Sequence, residues 1–274
     1  MTTVKLVLEP TVIPLAEMTL DPKGLEALME WVRDYRPECL PKEDPQPMDL
    51  FPHDLRDDGR DLTGDELLVE LAGRNCYHSY GAKAGRKTNR EYIAHSQSGT
   101  VPHRSIMYHA KMTFFIGGIS RRVSHELIRH YVGADRTEEG SPSQESTRYT
   151  HHPGHFIVPP RILDTSPDAV VQFRQDMEQA YKAYLDYEAR EVQAWTDRHG
   201  KPPTGMDRKR IYEAAAGLLP MQASTSMIWT TNPVALAKLF LERTDSSADA
   251  EFQRLAKHWQ SIAVGRWPNL FHQG

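Results

Sequence analysis

The chain has 274 residues, of which 39% are hydrophobic, and carries a formal net charge of -4. That length and apolar content supply a sizeable core, so one elaborated domain spanning residues 1–274 is expected rather than two small ones. The acidic balance excludes a general nucleic-acid coat, and positive charge that holds phosphate has to be local.

The two cysteines, Cys39 and Cys76, stand far apart with no CxxC spacing, a usage that fits a reduced intracellular protein. Cys76 is expected as a small buried apolar residue, not a nucleophile. No basic region followed by an apolar run opens the chain, and nowhere do about twenty apolar residues stand together. A cytoplasmic protein that does not enter membranes is expected.

Val4 to Leu8, extendable past Pro10 and Pro14 to Leu15, predicts an opening or edge strand. Pro22 to Asp61 is rich in proline and acidic residues around one amphipathic segment, Leu25 to Val32, and is expected as a surface insertion. Thr63 with Glu66 three residues on is a capping-box pattern, and Leu67, Leu68 and Leu71 follow at helical spacing toward an end near Asn75-Cys76-Tyr77. His103, Ser105 and His109 surround a loop-to-helix transition. With no HExxH and no carboxylate at ligand spacing, a metal site is not expected there.

Met112 to Ile116 reads as a core strand ending at Gly117-Gly118. Ser120 is placed to cap a helix through Val123, Leu127, Ile128 and Tyr131, with Arg129 and His130 in its last turn. Phe156 to Pro160 predicts a short strand, Asp168 to His199 one long helix, Arg208 to Gly217 another, and Ser224 to Thr231 a strand. Asn232-Pro233 is a favoured helix start for the run to Arg243, and a last helix begins near Ala248.

Between Arg129-His130 and Ser146-Thr147-Arg148-Tyr149 lies a polar segment with Gly133, Gly140 and Pro142, expected to be neither regular helix nor strand. Guanidinium, imidazole and hydroxyl groups gathered at this join suggest an anion site; an exposed charged loop is the plain alternative.

Taken together, an ordered series of motifs resembles the flavin-dependent thymidylate synthases, the ThyX family. It runs through Arg74-Asn75-Cys76-Tyr77, His103-Arg104-Ser105, Thr113-Phe114, Ser120-Arg121, Arg129-His130, Ser146 to Tyr149, Leu219-Pro220, Thr231-Asn232 and Glu242 to Ser246, and ends at Ala248 and Glu251. The resemblance implies an α/β (mixed α+β) fold, a central mixed sheet surrounded by helices, in a homotetramer with active sites between subunits. It implies FAD as cofactor, a uracil nucleotide as substrate, methylenetetrahydrofolate as one-carbon donor and NADPH as reductant, with no cysteine adduct. By motif position Arg243 would stabilise charge on the activated uracil. Ser146 would lie beside the nucleotide, with Thr147, and Arg148 would hold phosphate. His103 and Ser105 match the loop at the flavin and folate side, and His103 is a candidate catalytic residue with Arg243 and Ser146. Arg129, His130, Gln144 and Asn232 fall at cofactor-binding positions.

The chain also departs from the family pattern. Tyr131 replaces a second arginine after Arg129-His130, fourteen residues from Val132 to Glu145 precede Ser146 where seven are usual, and Ser143-Gln144 replaces an Asn-Glu pair. Glu126, Ala216 and Val234 stand at positions usually held by Gln, Arg and Arg. Arg136 in the longer loop is a candidate replacement for the missing phosphate contacts, and Glu126 a candidate partner for a ribose hydroxyl. Three readings follow: methylation of dUMP with rewired contacts, a relative of the nucleoside-antibiotic type that methylates UMP, or an FAD- and nucleotide-binding protein without catalysis.

Overall fold

The computed structural model describes residues 3–81, 85, 87–98, 102–131 and 140–271. The opening apolar run is two strands, because Pro10 interrupts it: β1 (Lys5–Val7) and β2 (Thr11–Ala16) join different sheets. β2 carries Pro14 because it lies at a sheet edge, where a missing N–H need not cost a ladder bond.

Within the proline-rich stretch, α1 (Pro22–Tyr35) is longer than the amphipathic segment alone, with Asp21 accepting from Lys23 and Gly24 N–H at its start. This stretch is more than surface. Leu25, Met29, Val32, Cys39, Leu50 and Phe51 form a buried cluster with Leu67 and Leu71. A tight hairpin, β3 (Arg56–Asp57) and β4 (Arg60–Asp61), turns at Asp58-Gly59, both with positive φ, as a two-residue turn of this hand requires. The expected capping box then opens α2 (Gly64–Tyr77), with Glu66 N–H donating to Thr63 Oγ1 and Thr63 N–H to Glu66. Cys76 is exposed, contrary to expectation, while Cys39 is the buried thiol. The chain leaves α2 at its C-terminus, so Cys76 faces outward from the last turn. A second capping box, Thr88 with Glu91, starts α3 (Asn89–Gln97).

β5 (Met112–Ser120) continues through the glycines expected to end it. Gly118, at φ 64, sits in an irregularity of the pairing where a Cβ would meet the Glu9 carbonyl oxygen at 2.9 Å. Ser120 then caps α4 (Arg121–Leu127), and a 3₁₀ turn follows over Ile128–Tyr131. The polar segment expected to be irregular contains β6 (Gly140–Gln144), whose Pro142 is tolerated because β6 is also an edge strand. Next come β7 (His155–Ile157), α5 (Pro160–Thr165), the long α6 (Pro167–His199), α7 (Gly205–Ala216), β8 (Ser224–Thr231), α8 (Pro233–Arg243) and α9 (Ala250–Arg266).

The fold is α+β. β2, β5, β8 and β6 form an antiparallel sheet in that order, and β1 pairs in parallel with β7, so mixed pairing is divided between sheets. On one sheet face Phe114 and Trp229 are buried, with Phe114 edge-on to Trp259 and Trp267 at 5.1 and 5.7 Å. On the other face Ile13, Phe115 and Ile228 form a row across three strands, and Ile13 remains 46% exposed.

Candidate functional site

α4 and α8 converge so that Arg243, in the last turn of α8, meets the end of α4. Arg243 Nε donates to His130 Nε2 at 3.0 Å, its Nη1 reaches Glu126 at 3.4 Å, and the guanidinium lies 5.0 Å from the Phe252 ring centre. Burial, then the adjacent Arg243 charge, pushes the His130 pKa down to about 4. The ring is therefore neutral near pH 7, with Nε2 free to accept and Nδ1 carrying the proton. The base of α4 is fixed by buried Glu251, which accepts from Ser120 N–H and Oγ at 2.8 and 2.9 Å. Arg122 bridges Asp249 and Glu251 and comes within 4.0 Å of Glu126. Glu126 is thus shared between two guanidiniums.

Gln144, at the end of β6, donates to Ser124 Oγ at 2.9 Å and Thr225 Oγ1 at 3.2 Å, which ties the start of the Ser146 turn to α4 and β8. In that turn Arg148 N–H donates to Ser146 Oγ at 3.3 Å and Thr150 Oγ1 to the Ser146 carbonyl at 2.9 Å. Thr147 belongs to the same turn. Arg148 pairs with Glu213 on α7, and Lys209 donates to Tyr149 Oη at 3.1 Å, so both side chains lie across that helix. Among the described residues no histidine is bonded to the Ser146 hydroxyl, which accepts from Arg148 N–H.

Arg121, directly after the Ser120 cap, has no task assigned by motif position. Its Nε and Nη2 are buried without a hydrogen-bond partner, as is Gln222 Oε1. Burial pushes the Arg121 pKa down and the His152 pKa down to about 4, and the Arg121 charge contributes to the latter shift. A guanidinium with two unused buried donors is costly unless an anion completes it. The signal was its place, next to the cap residue at the end of a core strand.

Asn232 caps α8 through Oδ1, accepting from Ala235 N–H at 3.0 Å, while its buried Nδ2 has no partner. It follows Thr231 at one end of β8, whereas the chain leading to Ser146 leaves beside Met227 and Ser226, so one chain does not bring Asn232 to Ser146. Arg129 and Ser105 are exposed. His103 lies at a further place: a cavity of about 440 Å³ lined by Tyr77, Ser79, Lys87, Tyr92, His95, Ser96 and His103, with Tyr77 edge-on to His103 at 5.9 Å. That volume lies within the range of small-molecule sites, about 300–1,000 Å³. Arg136 and residues 132–139 of the longer loop lie outside the described residues. Among the described residues, no group of three or more His, Cys, Asp or Glu is placed to hold a metal ion, and no helix is long and apolar enough to cross a membrane.

The family model described as thymidylate synthase complementing protein matches residues 60–269. The chain belongs to this family. A flavin-dependent thymidylate synthase from Mycolicibacterium vanbaalenii is 33% identical over 213 residues, 77% of this chain and 80% of that protein. Another, from Mycobacteroides abscessus, is 33% identical over 208 residues, 76% of this chain and 78% of that protein. The solved structure of the UMP/dUMP methylase PolB from Streptomyces cacaoi bound with 5-Br dUMP shares the fold at TM-score 0.58 and 16% identity, covering 98% of this chain and 95% of that one. For the family member in hand, the donor set fits a flavin dinucleotide: tyrosine and histidine edges around a cavity suit a planar ring, and spare buried N–H groups suit carbonyls and phosphates.

Proposed function

We infer that this chain is a flavin-dependent methylase that places a methyl group on C5 of a uracil nucleotide, dUMP, UMP or both. The observation that carries the reading is Arg243, held by His130 and Glu126 in a family member whose curated relatives are flavin-dependent thymidylate synthases. Bound FAD would supply the reducing equivalents that convert the transferred one-carbon unit to methyl. Methylenetetrahydrofolate is the proposed donor of that unit, and NADPH the proposed reductant.

In this reading Arg243 presents its remaining N–H groups to the uracil carbonyls and stabilises negative charge as C5 becomes nucleophilic. Neutral His130 fixes the guanidinium plane without adding charge. Ser146 and Thr147 contact the nucleotide, and Arg148 exchanges Glu213 for phosphate, with Arg121 as a second phosphate donor. Arg129, His130, Gln144 and Asn232 are proposed to hold FAD, and His103 with Ser105 to face flavin and folate. Glu126 is proposed beside the sugar. Its carboxylate, neutralised by Arg243 and Arg122, accepts a ribose or deoxyribose hydroxyl without repelling the phosphate. The separation of Asn232 and the His103 cavity from the Ser146 turn supports a homotetramer in which subunits complete one another's sites. Exposed Ile13 and Ile228, with half-buried Phe115 between them, support contact between copies.

No observation favours the reading as a binder without catalysis. The test is turnover of dUMP and UMP separately with FAD, methylenetetrahydrofolate and NADPH. A 5-methyl product from either nucleotide is expected, and flavin reduction that never yields methylated nucleotide overturns the reading.

A further inference from the structure

A buried line of contacts leads from the proline-rich segment to the cavity beside His103. His53 lies outside the family-matched residues 60–269. Its two ring nitrogens both face acceptors: Nδ1 the Asp54 carbonyl at 2.6 Å, and Nε2 both carboxylate oxygens of Glu70, at 3.0 and 2.9 Å. Two acceptors call for two N–H donors, a geometry that suits the imidazolium form, and, against the opposing effect of burial, the Glu70 carboxylate raises the His53 pKa.

Glu70 is fully buried; it also accepts from Arg74 Nε at 2.6 Å and from Asn89 Nδ2 at 2.8 Å. Arg74, equally buried, donates Nη1 to the Ser79 carbonyl at 3.2 Å and lies 4.4 Å from the Tyr92 ring centre. Ser79 and Tyr92 both line the cavity. His53 is not among the described residues that line the cavity, yet it is bonded to the carboxylate that holds the cation beneath the wall.

We propose that His53 is a positioning residue for this cavity: by anchoring Glu70 it fixes Arg74 against Tyr92 and Ser79, and so sets the wall on which the flavin ring docks. The proposal rests on the reading that the cavity receives the cofactor. Loss of the His53 donor leaves a buried carboxylate with a free acceptor site, and Glu70 and Arg74 then shift together.

The test titrates cofactor-free protein with FAD, followed by quenching of flavin fluorescence, with thermal melting in parallel. His53→Leu, which has no donor, and His53→Asn, which is too short to reach Glu70, are each expected to weaken FAD binding about tenfold, the scale of one charge-assisted hydrogen bond. His53→Gln, whose amide can donate to Glu70, is expected to restore affinity to within about threefold of wild type. If His53→Leu does not fold, His53→Asn carries the comparison. Tyr92→Ala separates the two claims. If it binds FAD as wild type does, the cofactor reading of the cavity fails. If it weakens binding while His53→Leu and His53→Asn do not, the positioning role is overturned. Equal weakening in His53→Gln and His53→Asn also overturns it, because a merely structural residue would lower melting without rescue by a donor.

Discussion

Acidification should loosen the junction of α4 and α8 through His130. The Arg243 Nε hydrogen bond to His130 Nε2 exists only while the ring is neutral, and burial beside Arg243 holds the folded pKa at about 4. The unfolded ring titrates near about 6.5, so between about 6.5 and 4 the unfolded state binds a proton that the folded state does not. Stability therefore falls as pH drops through that window, and one such site is worth about 2 kcal/mol between about pH 7 and about pH 5. His130→Gln does not titrate, and its side-chain oxygen can accept from Arg243. Urea denaturation of both proteins at the two pH values measures the difference. Wild type is expected to lose about 2 kcal/mol more than the variant on acidification. His152 shifts stability the same way, and Asp65, pushed up to about 6 by burial, shifts it the opposite way, but both are common to the two proteins. Equal losses in wild type and His130→Gln would refute the reasoning.

Arg243→Lys keeps the charge but not the planar fork that spans His130 and Glu126; kcat should fall by about 10²-fold with little change in melting temperature, as steady-state turnover and a thermal scan would register. Arg121→Ala removes a guanidinium whose Nε and Nη2 are unpartnered, so nucleotide affinity by calorimetry should weaken about tenfold or more without loss of folding stability. Phe114→Ala empties the space between Trp259 and Trp267 and should cost about 3–5 kcal/mol in urea denaturation.

Local chemistry was legible at several places where a short motif meets a backbone need by itself, though the Thr88 and Glu91 capping box was passed over. The Thr63 and Glu66 capping box, the Ser120 cap, the Asn232-Pro233 helix start and the extent of β8 appear as expected. What depended on distant partners was not. Gly117-Gly118 looks like a strand end, yet β5 continues because β2 and β8 pair with it on both sides. Gly140 and Pro142 look like loop residues, yet β8 offers an edge that accepts them. In the site, motif order pointed to Arg243 and His130, and the structure joins them by a direct hydrogen bond. It pointed to Arg148 for phosphate, but local sequence cannot reveal that Glu213 on α7 already holds that side chain. The unused donors of Arg121 were equally hidden, since an unmet hydrogen bond is a property of packing and not of spacing.

Product formation is the most direct test of methylation at C5. Purified protein supplied with FAD, methylenetetrahydrofolate and NADPH should convert dUMP, UMP or both to a nucleotide heavier by one CH₂, identified by mass spectrometry and located at C5 by NMR. Consumption of NADPH with both nucleotides recovered unmethylated would contradict it.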